Sequence, residues 1–183
     1  MKVILFMLGF MLFHITGEAQ NGNDDYTIIG DSTNIYPTID SILKLKKFQN
    51  KVVYVDIWGT RCSPCIQEFG YLPALKEKFA KDSVAFLYLC SPYSVKWDKQ
   101  NEKRWHDLII KHELKGVNVF ISPECYDSGF FEKYKDNYTE ERRYTIPMYL
   151  LVDRTGEIVN FNAPRPSTGE LLYKDIQLLL DEQ

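Results

Sequence analysis

A chain of 183 residues, 45% hydrophobic and 14% aromatic, is long enough to bury one good core and short for two, so one domain is expected. Its formal charge of -3 is spread along the sequence, and no block of lysines and arginines alternates with aromatics. That pattern argues against a nucleic-acid partner.

Lys2 precedes an apolar run over residues 3–13, and Gly17 and Ala19 flank Glu18. This order reads as a secretory signal over residues 1–19, cleaved after Ala19. A membrane span needs roughly 18 to 20 apolar residues, and this run offers about eleven before His14 and Thr16, which leaves a retained N-terminal anchor as the alternative. The mature chain is expected to be exported, in a periplasmic setting where disulfides persist. Residues 20–35 read as a flexible leader to a domain over 36–183, although 26–30 and 37–47 are apolar enough to dock on a core.

Residues 51–58 (KVVYVDIW) form a β-branched and aromatic run suited to a central strand buried on both faces, interrupted by one acid, Asp56. After the cysteine pair, Ile66, Phe69, Leu72, Leu75 and Phe79 recur at helical spacing, with Pro73 expected to kink the helix. Residues 83–90 predict a second buried strand, 97–114 a charged helix, 117–121 a short strand and 130–134 a helix. Residues 145–161 predict two strands joined by a tight turn at 153–156, with Gly156 supplying a positive φ. Ser167 or Thr168 is placed to cap a last amphipathic helix through Leu172 and Ile176. Strands alternating with helices describe an α/β sandwich around a mixed sheet.

The segment WGTRCSPC sets Cys62 and Cys65 at the start of a helix that follows a buried strand. Amide groups of a first helical turn favour thiolate over thiol at Cys62, which makes it the nucleophile. Cys65, one turn further in, is placed to attack a mixed disulfide at Cys62 and release the product. Pro64 is tolerated there because first-turn amides lack intrahelical partners. A Cys-x-x-Cys can also be half of a zinc site, but Cys90 and Cys125 are isolated, and His106 and His112 do not share a helical face. No metal is expected, and the redox-active Cys62–Cys65 disulfide takes the place of a cofactor. Cys90 and Cys125 each follow a predicted strand, so they either pair across the active-site edge or stay as buried thiols.

These residues resemble the thioredoxin superfamily, and within it the TlpA/ResA-like branch of exported thiol:disulfide oxidoreductases. The resemblance rests on Asp56, Trp58, Gly59, Cys62, Pro64 and Cys65, on Ile146 and Pro147 before a strand, and on Asp153 and Gly156 in a hairpin. It implies a thioredoxin-like sandwich, with helices on both faces and a helix-strand insertion over about residues 91–134. It also implies a cis Pro147 facing the cysteine pair, with the Ile146 backbone pairing an extended substrate strand. Glu68 is similar to a carboxylate that the branch often carries near its active site. Arg61 and Met148 depart from the common pattern, which bears on partner choice.

Asp56 and Glu68 are accordingly candidate proton-handling groups, and each has a plainer reading, as a loop cap and a solvated helix residue respectively. Trp58, Arg61, Pro64, Ile146 and Pro147 are the candidate substrate-binding residues, with Trp58 also suited to packing beneath the loop. The implied activity is reduction of disulfides in exported proteins by a monomer recharged by a membrane thiol donor, with cytochrome c apoproteins as clients by resemblance alone. A peroxiredoxin-like peroxide reductase and a non-catalytic copper-binding thiol module are the alternatives.

Overall fold

The computed structural model describes residues 26–30, 36–93, 98–142 and 145–182. The expected signal segment and most of the leader lie outside the described residues, and among the described residues no helix is long and apolar enough to cross a membrane.

The strands are β1 (Tyr26–Gly30), β2 (Val52–Trp58), β3 (Val84–Cys90), β4 (Gly116–Phe120), β5 (Met148–Val152) and β6 (Ile158–Asn160). The helices are α1 (Ile39–Leu43), α2 (Ser63–Glu68), α3 (Leu72–Lys78), α4 (Lys99–Lys111), α5 (Pro123–Tyr126) and α6 (Glu170–Asp181). The sheet order is β1-β4-β3-β2-β5-β6. The first four of these strands run parallel, β5 is antiparallel to β2, and β6 is antiparallel to β5.

All seven residues of β2 are buried, as its continuous apolar run requires of a central parallel strand. Alternation then divides the core. Val53, Val55 and Ile57 face a cluster built with α1, α5 and Phe130, whereas Val52, Tyr54 and Trp58 face one built with α2, α3, α4 and α6. Burying a large apolar side chain is worth about 1.5–3 kcal/mol, so these two layers hold most of the fold's stability.

Four details depart from the sequence expectations. Tyr26–Gly30, inside the expected leader, is an edge strand paired in register with β4, so the domain begins before residue 36. The helix after the cysteines is broken into α2 and α3 by a tight turn at Phe69–Tyr71, and Pro73 opens α3 where its missing amide costs nothing. The helix expected at 130–134 is present but begins earlier and is a π-helix, Asp127–Glu132. Its Gly129 lies against Pro37, where a Cβ would come within 2.2 Å of the carbonyl oxygen.

The last departure is at α6, whose N-cap is Gly169 at φ 54, with no side chain capping it. At the β5–β6 turn, Gly156 has φ 91, and Asp153 Oδ1 accepts from the amides of Thr155 and Glu157 at 2.9 and 3.0 Å.

Candidate active site

Cys62 is the N-cap of α2, with extended backbone angles of φ -85 and ψ 94. Its Sγ accepts the Cys65 amide at 3.2 Å, so a first-turn donor points at the sulfur. Cys62 and Cys65 are joined as a disulfide across a Cα separation of 5.3 Å. Their surroundings differ sharply, because Cys65 is 0% exposed while Cys62 is half-buried at the surface. Pro64 and Arg61 are exposed beside it.

Beneath the loop, Asp56 is 1% exposed, on the same side of β2 as Tyr54 and Trp58 and therefore on the side that buries Cys65. Neither carboxylate oxygen has a hydrogen-bond partner among the described residues. Burial pushes its pKa well above the ordinary 3.8, and the Glu68 carboxylate adds to the shift. An isolated buried carboxylate escapes its desolvation cost by holding a proton.

Sheet register sets a tyrosine on each side of this acid, Tyr88 on β3 and Tyr149 on β5. Both hydroxyls are buried without a partner among the described residues. Both hydroxyl pKa values are raised, first by burial and then by the charge of Asp56. Tyr54 stacks on Tyr149 at 5.6 Å and donates its hydroxyl to the Pro164 carbonyl at 2.8 Å. The two flanking tyrosines were not found from sequence. Their signal is strand register, which appears only once β3 and β5 are set against β2.

Glu68 is buried at 8% exposure, which removes the solvated reading. Ser167 donates to it from both its amide and its hydroxyl, each at 2.9 Å. The expectation of Ser167 or Thr168 as a helix cap is thereby corrected: Ser167 serves Glu68, and the Thr168 hydroxyl donates to the Arg165 carbonyl at 2.7 Å.

Trp58 is 0% exposed and packs edge-on against Phe69 at 5.1 Å, so it supports the loop from below and is withdrawn from substrate contact. Met148 pairs with Ile57, which sets Ile146 and Pro147 beside the end of β2 from which the cysteine loop departs. The Ile146–Pro147 bond is cis. Pro147 is buried, and Ile146 is half-buried against both core clusters.

Cys90 and Cys125 are buried thiols. They sit in different core clusters, Cys90 with Cys65 and Cys125 with α1 and Phe130, and no disulfide joins them. Among the described residues, no group of three or more His, Cys, Asp or Glu side chains is arranged to hold a metal ion.

A disulfide-forming cysteine pair at the head of a helix, following the central strand of a mixed sheet and backed by a buried acid, defines a thioredoxin-superfamily redox centre. The chain belongs to the Redoxin family, whose model matches residues 33–172. It is 23% identical over 117 residues to the thiol-disulfide oxidoreductase ResA of Bacillus thuringiensis subsp. konkukian (strain 97-27), an alignment covering 64% of this chain and 57% of that protein. The chain thus spans less than two thirds of this curated relative's length.

A crystal structure of a candidate thiol-disulfide oxidoreductase from Bacteroides vulgatus is 30% identical, with a TM-score of 0.53, covering 74% of this chain and 83% of that one. A solution structure of a thiol:disulfide interchange protein from Bacteroides sp. is 22% identical, with a TM-score of 0.55, over 75% of this chain and 78% of the other. That second likeness is one of fold. The matches agree with the TlpA/ResA-like resemblance of the cysteine loop.

Proposed function

We propose that the chain is an exported thiol:disulfide oxidoreductase that reduces disulfides in other exported proteins. The observation that carries this reading is the asymmetry of the pair: an accessible Cys62 sulfur held by a helix-start amide, joined to a fully buried Cys65. In the reduced state the Cys62 thiolate attacks a client disulfide, forming a mixed disulfide and releasing one client thiolate. Cys65 then loses its proton and attacks the Cys62 sulfur, releasing the second client thiolate and closing the Cys62–Cys65 disulfide. Two electrons pass to the client, and an external dithiol donor, here a membrane thiol protein, returns them.

The Asp56 carboxylate takes up the proton that Cys65 gives up, its proton affinity raised by burial. Glu68, fixed by Ser167, adds negative charge that favours this uptake, and Asp56 ends the cycle protonated beside the closed disulfide. Ile146 and Pro147 form the wall of the client groove, with Arg61 and Pro64 on its rim. The cycle uses no cofactor beyond the disulfide itself.

Single-cysteine variants test the reading. Cys62→Ser should reduce turnover of a disulfide-bonded model protein to background, and Cys65→Ser should accumulate client bound through Cys62. Trapping through Cys65 in the Cys62→Ser protein would reverse the assigned order. Stoichiometric Cu(I) binding without turnover would favour a copper module, and peroxide reduction faster than disulfide exchange would favour a peroxiredoxin.

A further inference from the structure

Beside Cys62 the active-site loop and α4 enclose a cleft of about 410 Å³ whose wall carries four cations, Arg61, Lys103, Arg104 and Lys111. The acid in that wall, Asp107, is 2.7 Å from Lys103. Arg104 Nε donates to the Thr60 carbonyl at 3.1 Å, which ties α4 to the loop two residues before the nucleophile. That bond occupies the Nε side of the guanidinium alone. Arg61, Arg104 and Lys111 face no carboxylate within 4.0 Å among the described residues.

The sign of this surface is opposite to that of the chain, whose formal charge is -3. An acidic protein repels acidic partners overall, so a local reversal beside the reacting sulfur selects where and how such a partner approaches. Resting on the oxidoreductase reading above, we propose that this basic cleft receives an acidic segment of the client polypeptide, next to the disulfide under attack. The client's Asp or Glu side chains pair with Arg61, Arg104 and Lys111, and the pairing steers the client disulfide onto Cys62. Exposed pairs contribute little to stability but much to encounter rate and its salt dependence, so the effect belongs to the rate of mixed-disulfide formation.

The test uses the full chain in its reduced form and three synthetic peptides, each closed by one intramolecular disulfide and flanked by glutamate, glutamine or lysine. Rates of reduction are followed at low and at high ionic strength. The glutamate peptide should react roughly tenfold faster than the lysine peptide at low salt, and salt should erase the difference. Lys103→Gln combined with Lys111→Gln should bring the ratio toward one, and Lys111→Glu should lower it further.

Equal rates for the three peptides, or a preference that survives these substitutions, would overturn the client surface and leave the oxidoreductase reading standing. Failure to reduce any of the peptides would overturn both. Binding of a second copy of the acidic chain to the cleft, seen as concentration-dependent dimerisation lost in the lysine variants, would also overturn it.

Discussion

Ser167 reaches across 99 positions of sequence to Glu68, donating its amide and its hydroxyl to the two carboxylate oxygens at 2.9 Å each. The contact joins the loop before α6 to the end of α2, and so fixes the helix that carries the cysteine pair.

Removing the hydroxyl leaves a buried carboxylate with half of its donors. Hydrogen bonds to charged groups are worth about 1.5–3 kcal/mol, and Ser167→Ala should destabilise the oxidised protein by an amount in that range. Ser167→Thr keeps a hydroxyl and should recover most of the loss. Urea denaturation of the three proteins checks this, and equal midpoints would show that the contact contributes nothing.

The difference between Ser167 as a helix cap and Ser167 as a partner of Glu68 marks where sequence reading stopped. β2, the cysteine loop and the β5–β6 hairpin were legible because each is specified locally, by a continuous apolar run, by Cys-x-x-Cys spacing, and by Asp153 and Gly156 in the turn. β1 was not, because its five residues are half-buried at a sheet edge and its pairing with β4 is set far away in sequence. The tyrosines flanking Asp56 depend on register, and the separation of Cys90 from Cys125 depends on which face of the sheet each one occupies. The π-helix at Asp127–Glu132 is fitted to Pro37 through Gly129, a contact without local signature.

Asp56 makes the stability of the fold depend on pH. Burial first, and Glu68 second, hold its pKa well above 3.8, so the folded protein keeps a proton that the unfolded chain releases above about pH 4. The stabilising effect of that proton is complete below the unfolded value and declines as pH rises toward the folded one, by at most about 1.4 kcal/mol per pH unit. Asp56→Asn removes the titration. The variant should match the wild type near pH 4 and exceed it increasingly toward pH 8, while resolution by Cys65 slows and mixed disulfides persist longer. Urea titrations across that range give the first comparison, and a constant gap between the two proteins would show that Asp56 does not titrate in the folded state.

The direction of electron flow depends on how far the Cys62 thiolate is stabilised. A strongly oxidising pair needs its reduced form to be unusually stable, which requires a thiolate pKa far below the free value of about 8.5. Around Cys62 the helix supplies one amide donor, that of Cys65 at 3.2 Å, and Arg61 supplies a positive charge in solvent, where screening weakens it. Asp56, held protonated by burial, and the Glu68 carboxylate provide no compensating positive charge beneath the loop. The thiolate is therefore only moderately favoured, and the potential should fall nearer about -270 mV, the thioredoxin value, than about -120 mV, the value of a strong oxidant. Equilibration of the Cys62–Cys65 pair against glutathione redox buffers measures it. A potential above about -180 mV, where an isomerase lies, would reverse the proposed flow and assign the pair to disulfide formation or shuffling.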